Sequence, residues 1–103
     1  MEGLELVSFQ IIAAAGSARS SYVEALQAAK QGNFEEAEAL IKQGDTDFVE
    51  AHHVHAELIQ KFAGGEDPGA NILLIHAEDQ VMSAEVLKIM ALEFIELYKK
   101  LEK

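Results

Sequence analysis

The sequence predicts an all-α protein, an antiparallel up-down-up bundle of three helices. Apolar residues recur with helical spacing over three long stretches, and strand-like alternation is scarce. Two breaks separate these stretches, at Gly32 and at GGEDPG (residues 64–69), which holds the only proline, Pro68. Helices of roughly 30 residues would each be about 45 Å long. They would pack side by side as a single domain over residues 1–103.

The first helix is predicted over residues 4–31. Its apolar face is expected to comprise Leu6, Phe9, Ile12, Ala13, Gly16, Tyr22, Val23, Leu26 and Ala29. The central segment AAAGSARSS consists mainly of small residues, which permit another helix to approach closely. Gly32 suits the left-handed conformation that ends many helices.

The second helix is predicted over residues 34–62 and the third over residues 70–101. Asn33 and Glu36 have the spacing of a capping box at the start of the second helix. Gly44 leaves open whether this helix bends. The third helix ends in lysines, which complement the negative end of the helix dipole.

The third helix carries more apolar surface than one side of a three-helix bundle requires. One face would hold Ile72, Ile75, Met82, Val86, Ile89, Met90 and Leu97, and another Leu73, Ala77, Ala84, Leu87, Ala91, Phe94 and Ile95. We therefore expect a second buried surface, most simply against copies of the same chain. Asp79 lies at the centre of the first face with no lysine or arginine within one turn, and burying its lone charge would be costly.

Composition and charge argue against several classes of protein. The formal net charge of −10, from 18 acidic and 8 basic residues, repels phosphate backbones and argues against nucleic-acid binding. The absence of cysteine excludes disulfides and cysteine nucleophiles and fits a reducing compartment, so we expect a cytoplasmic protein. No apolar run approaches 18 residues and no secretory signal is evident, which argues against membrane spanning and secretion.

His76 and Asp79 lie one helical turn apart in the otherwise mostly apolar segment LLIHAEDQVM. A neutral imidazole is a competent nucleophile near pH 7, because its unperturbed pKa is about 6.5. His76 can therefore accept a phosphoryl group without a cysteine or a glycine-rich loop. Gln80, Glu78 and Ser83 are the nearby candidates for stabilising that group. The alternative is that His76 and Asp79 are structural polar residues at the edge of the bundle.

Two other patterns allow different functions. In EAHHVHAE, Glu50 and His53 have the Glu-x-x-His spacing of di-iron bundles, but no second copy exists and we reject that centre. A metal-binding bundle that uses His52, His53 and His55 remains a third hypothesis.

The segment ALQAAKQGNFEEAEALI resembles half a tetratricopeptide repeat, yet a repeat array needs at least three copies. A non-catalytic helical interaction module is therefore the main alternative function.

Four segments occur in an order and spacing typical of one family: IIAAAGSARSSYVEALQAAKQGNFEEAEALI, EAHHVHAELI, LLIHAEDQVMSAE and LEFIELYKKL. The chain resembles, over essentially its whole length, the IIA component of the lactose/cellobiose (diacetylchitobiose) family of the phosphoenolpyruvate-dependent sugar phosphotransferase system. The resemblance implies a homotrimer of three-helix bundles. It also implies that His76 accepts a phosphoryl group from the protein HPr and passes it to a cysteine of the IIB component during disaccharide uptake.

The resemblance further implies that Asp79 gathers with its copies around a divalent cation, with Mg²⁺ expected, on the trimer axis. Two residues depart from the family motif. Glu78 replaces a glutamine and adds negative charge beside a phosphorylated His76, unless its side chain points elsewhere. Gln80 replaces a histidine, so it can donate a hydrogen bond to a phosphoryl group but brings no positive charge. The sugar cannot be read from the sequence, because the membrane partner IIC selects it.

Overall fold

The structure, a computed structural model, describes residues 3–65 and 72–102. It contains three helices in these residues: α1 (Gly3–Lys30), α2 (Phe34–Ala63) and α3 (Ile72–Leu101). The predicted all-α three-helix architecture is confirmed. The predicted start of the third helix at residue 70, and most of the predicted GGEDPG turn, lie outside the described residues. No described helix combines the length and apolar character that crossing a membrane requires.

A glycine cap ends α1. Gly32 adopts a positive φ of 83°, its N–H donates to the Ala29 carbonyl at 2.9 Å, and the Asn33 N–H donates to the Ala28 carbonyl at 2.9 Å. Asn33 then occupies the N-cap position of α2, but its side chain makes no capping hydrogen bond. The predicted capping box with Glu36 is therefore wrong. The box requires the Asn33 N–H as a donor to the glutamate, and Ala28 already accepts from it.

Helix α1 is the central element, because it packs along both α2 and α3 while those two contact each other far less. Its buried residues are mostly small: Ser8, Ile11, Ala15, Ala18, Ser21, Tyr22, Ala25, Ala28 and Ala29. The predicted apolar face is wrong in part, because Leu6, Phe9 and Val23 are exposed. The core face consists mainly of alanines, which let neighbouring helices approach closely, together with Ile11 and Tyr22.

Ion pairs and hydrogen bonds join the helices along their length. The Ser17 hydroxyl of α1 donates to Asp47 of α2 at 2.7 Å. Lys99 near the end of α3 pairs with Glu38 near the start of α2 at 2.5 Å, as the up-down-up order requires. Helix α2 continues as a single helix through the buried Gly44 and is not split there.

Helix α3 divides into the two apolar faces that the sequence predicts. Only the second face enters the core of the bundle, where Ala77, Val81, Ala84, Ala91 and Ile95 are buried. The first face is exposed: Ile72, Ile75, Met82, Val86, Ile89, Met90 and Leu97. We call these seven residues the outer α3 face. An apolar surface of this extent on a small bundle is typical of a surface that binds another protein chain.

Candidate functional site

His76 lies near the start of α3 and is exposed. Within the described parts of the chain, its ring has no hydrogen-bond or ion-pair partner. The imidazole is therefore accessible to an approaching protein. An accessible, unpaired imidazole meets the geometric requirement for a nucleophile, since no neighbouring donor occupies its lone pair.

Gln80 lies one turn beyond His76, at the i+4 spacing that brings side chains together on a helix surface. The structure adds a contact that joins Gln80 to α1: Nη1 of Arg19 donates to Oε1 of Gln80 at 3.2 Å. This bond is partly buried and spans 61 positions of the sequence. The orientation of the Gln80 amide is therefore fixed by a residue of another helix.

Arg19 is the only arginine of the chain. Across residues 3–65 and 72–102, no carboxylate lies within ion-pair distance of its guanidinium group. Its Nε atom is buried and has no hydrogen-bond partner. In a chain with 18 acidic residues, this arginine keeps an un-neutralised charge and directs one N–H to the amide beside His76.

Glu78 lies two residues beyond His76 and points to α2. One of its carboxylate oxygens is 2.7 Å from Nε2 of His55, whose side chain is only 17% exposed. Residues two apart on a helix do not face each other, so this direction takes the carboxylate away from His76. The extra acidic group of this motif is thus paired with an imidazole, which limits its repulsion of a phosphoryl group.

Ser83 is half-buried and lies seven residues beyond His76. Its backbone is about 10 Å farther along the helix axis than that of His76. At that distance its hydroxyl does not reach a phosphoryl group on His76 of the same chain. Gln80 has the better geometry among the predicted stabilising residues.

Asp79 is exposed and lies on the outer α3 face between Ile75 and Met82. The described chain contains no cluster of three acidic, histidine or cysteine side chains able to hold a metal ion. One chain therefore brings a single carboxylate to this surface. The cation predicted from the resemblance needs the Asp79 residues of further copies, so that site stays a prediction.

The histidines of EAHHVHAE have separate surroundings. The ring of His52 stacks on Phe48 with centroids 6.4 Å apart, and His53 lies 4.0 Å from Glu57 on the surface of α2. His55 pairs with Glu78 of α3. Their side chains thus serve three different contacts, and the metal-binding hypothesis gains no support from this geometry.

Two residues of this site were not predicted from the sequence. Arg19 lies in the small-residue segment of α1, where the small residues alone predicted close helix packing. His55 was considered as a metal ligand, whereas it partners Glu78. One signal was available for Arg19: a single arginine amid small residues on a helix that is otherwise poor in charge.

Comparison with known proteins gives consistent matches over nearly the whole chain. The family model described as "PTS system, Lactose/Cellobiose specific IIA subunit" matches residues 6–99. The lichenan-specific phosphotransferase enzyme IIA component of Bacillus subtilis is 45% identical over 100 residues, covering 97% of this chain and 91% of the relative. The match therefore extends well beyond the His76 segment.

Solved structures agree with this match. The crystal structure of the cellobiose-specific enzyme IIA from Bacillus anthracis superimposes with a TM-score of 0.95 at 48% identity, covering 98% of this chain and 93% of that one. The IIA(chitobiose) component in its solution structure with HPr, from the diacetylchitobiose branch of the Escherichia coli phosphotransferase system, gives a TM-score of 0.82 at 34% identity. The coverage there is 100% of both chains.

Proposed function

Because this chain belongs to the lactose/cellobiose-specific IIA family of the sugar phosphotransferase system, we propose that His76 is the residue that carries the phosphoryl group. As a IIA component the chain is a phosphotransferase component that serves sugar transport. The observation that carries the assignment to His76 is its exposed, unpaired ring on α3, within the HAEDQVM segment. The non-catalytic interaction module is set aside, because its single repeat-like segment is accounted for by the IIA family.

The proposed reaction is an exchange of one P–N bond for another. The lone pair of one ring nitrogen of His76 forms a bond to phosphorus as the P–N bond on the donor histidine of HPr breaks. The electron pair of the broken bond returns to the donor ring. The second nitrogen of each ring keeps its proton, so no proton has to cross between the proteins. The protein contributes mainly by positioning the two rings and stabilising the charge on the phosphoryl group.

Two partners would use the same surface in turn. The structural relative in complex with HPr supports HPr as the donor. The acceptor is a cysteine of the IIB component, whose thiolate displaces the His76 nitrogen and forms a P–S bond. Ile72 and Ile75 are exposed beside His76 and offer apolar contact area to either partner. Both partners must reach one imidazole, so they bind one after the other.

We also propose a homotrimer in which the outer α3 face is buried. The alternation of three- and four-residue steps from Ile72 through Ile75, Asp79, Met82 and Val86 is the heptad spacing of helices that pack against one another. This face is exposed in the single chain, and each copy would add one Asp79 carboxylate to the shared interface.

Three Asp79 carboxylates brought together would repel one another unless a cation neutralised them. Carboxylate oxygens suit hard divalent cations, so Mg²⁺ is the expected ion. The donor set fits this role, because the aspartates present oxygen ligands on a surface that is otherwise apolar. The cation would serve assembly alone, and the phosphoryl transfer needs no metal from this chain. The protein is proposed to work in the cytoplasm.

Intact-mass analysis tests the carrier role. The chain is incubated with phosphoenolpyruvate, enzyme I and HPr, beside a His76→Ala variant and a His53→Ala variant. His53 is the matched control, because it is also an exposed histidine but lies on α2. We expect one acid-labile phosphoryl group on the native chain and on His53→Ala, and none on His76→Ala. A folded native chain that remains unmodified, or a modified His76→Ala, contradicts the proposal.

A further inference from the structure

We propose that Arg19 is a positioning residue for phosphoryl transfer at His76. It holds the Gln80 amide with its NH₂ group toward the phosphoryl group, and it strengthens that donor with its own positive charge. This inference rests on the proposed role of His76. Arg19 belongs to α1 and is distant from His76 in the sequence. The fold brings it to the site.

The direction of the Gln80 amide follows from chemistry. A guanidinium group has N–H donors and no acceptor, so the amide atom that faces Arg19 has to be the carbonyl oxygen. The contact is Nη1 to Oε1 at 3.2 Å. The NH₂ group then points away from Arg19. Helical side chains lean toward the N-terminus, which carries the Gln80 side chain over the turn that holds His76.

The orientation matters because the two ends of the amide have opposite effects. A phosphoryl group on histidine carries up to two negative charges, which an N–H donor stabilises and a carbonyl oxygen repels. An unrestrained glutamine samples both orientations. With Arg19 bonded to the oxygen, the NH₂ end of Gln80 is the end left free for a phosphoryl group on His76, so no reorientation is required during transfer.

The charge of Arg19 is available for this purpose. No described carboxylate neutralises it, and its buried Nε has no partner. A cation that donates to the amide oxygen polarises the amide and makes its N–H groups stronger donors. The net charge of −10 would otherwise repel an incoming phosphoryl group. Arg19 and Gln80 together bring positive potential to the position beside His76.

The test compares native protein with Arg19→Met, which keeps an unbranched apolar stem and removes the charge and the donors of the side chain. Two quantities are measured: the rate of phosphoryl transfer from phospho-HPr to His76, and the NMR shift of the Gln80 side-chain NH₂ on phosphorylation. We expect Arg19→Met to slow transfer about tenfold. We also expect it to abolish the NH₂ shift that native protein shows.

A rescue variant separates positioning from a general structural role. A histidine at position 80 can donate an N–H or carry its own charge without a partner to orient it. Arg19→Met with Gln80→His is therefore expected to transfer within about threefold of Gln80→His alone. If Arg19 only stabilised the fold, Gln80→His would restore nothing. Should Arg19→Met fail to fold, Arg19→Lys replaces it. Lysine keeps a donor to Oε1, and the NH₂ shift is expected to persist.

The outcomes distinguish this inference from the proposed function. A native chain that takes no phosphoryl group on His76 overturns both. The role of Arg19 is overturned, and the role of His76 kept, by a second outcome. In it the native chain is phosphorylated on His76, and Arg19→Met transfers at the native rate with an unchanged Gln80 NH₂ shift. Loss of transfer that Gln80→His does not rescue also overturns it.

Discussion

Gly44 of α2 lies so close to Tyr22 of α1 that a side-chain carbon at position 44 would come within 2.6 Å of Cε1 of the ring. Tyr22 has no exposed surface, so its ring cannot withdraw into solvent. A hydrogen bond of 2.7 Å from its hydroxyl to Asp45 holds the ring further in place. The close approach of α1 and α2 at this level therefore depends on glycine.

The first prediction is that Gly44→Ala destabilises the bundle. Alanine favours a helix over glycine by about 1 kcal/mol, but overpacking against a buried ring costs about 1–3 kcal/mol. We expect the overpacking to dominate and the free energy of unfolding to fall by up to about 2 kcal/mol. Denaturant unfolding at one fixed protein concentration measures it.

Gly16 is the matched control for this substitution. It is also inside a helix, and beyond its own helix backbone a Cβ there would meet no atom of residues 3–65 and 72–102 within 4 Å. Gly16→Ala is therefore expected to raise the free energy of unfolding or leave it unchanged. A Gly44→Ala protein as stable as Gly16→Ala would show that the ring of Tyr22 shifts freely and that the contact does not limit packing.

The second prediction concerns the hydroxyl of Tyr22. It donates to Oδ1 of Asp45, and Nζ of Lys88 lies 2.9 Å from the same oxygen, so the three helices meet at one carboxylate. Tyr22→Phe removes one hydrogen bond to a charged acceptor. It should lower the free energy of unfolding at pH 7 by about 1–2 kcal/mol. Lys88 remains to pair Asp45, which keeps the loss moderate.

The same group predicts a pH dependence. Burial, followed by the hydrogen bond to Asp45 and its charge, raises the pKa of Tyr22 above its ordinary value of 10.0. A raised folded pKa means that the contribution of Tyr22 to stability is complete below pH 10 and is lost as the pH rises above it. Native protein should therefore lose more stability above pH 10 than Tyr22→Phe does. Parallel slopes for the two proteins would contradict this expectation.

The helical periodicity was sufficient to predict three helices and the two apolar faces of the third, because each face repeats over many turns. It was not sufficient to predict the core face of α1. Bulky side chains such as Phe9 dominate the apolar pattern of the sequence. At a short interhelical distance, however, small residues such as Ala15 and Ala18 are the ones that fit the core.

At the site, the motif was enough to propose His76 and Gln80 together, because a residue and its i+4 neighbour are local in sequence. The partners Arg19 and His55 come from other helices, 61 and 23 residues from the groups they contact. Such pairings depend on the rotation of each helix about its axis. That rotation follows from the core face of α1, which the sequence pattern did not predict correctly.

The third prediction tests the pairing of His55 with Glu78. Replacing His55 by leucine leaves the Glu78 carboxylate without a partner two residues from His76. An unpaired charge at such a distance in a hydrated site costs about 1 kcal/mol, so phosphoryl transfer from phospho-HPr should slow about fivefold. Stopped-flow or quenched transfer assays measure the rate.

Glu78→Gln supplies the control. It removes the charge itself, so it should restore transfer in the His55→Leu background and leave the rate of an otherwise native chain within about twofold. The pair is partly exposed, and its loss should change stability by less than about 1 kcal/mol. A His55→Leu protein that Glu78→Gln does not rescue would mean that His55 acts by another route than shielding this carboxylate.

The fourth prediction concerns Asp79 and assembly. If three Asp79 carboxylates meet in a trimer, a chelator that removes divalent cations should weaken the native trimer through charge repulsion. Asp79→Leu should form a trimer that resists both chelator and dilution, because leucine adds apolar area where the native protein requires a cation. Sedimentation velocity over a concentration series, with and without chelator, measures both.

Asp79→Asn is the near-isosteric companion of this variant. It removes the repulsion without adding apolar area, so its trimer should be insensitive to chelator yet dissociate at a higher concentration than that of Asp79→Leu.

Ile89→Lys, which places a charge on the same outer α3 face, should give monomers because each copy would bury an unpaired ammonium group. A native trimer that chelator leaves intact would contradict the proposed cation. A native chain that is monomeric at all concentrations would contradict the trimer itself, and the outer α3 face would then be a surface for HPr and IIB alone.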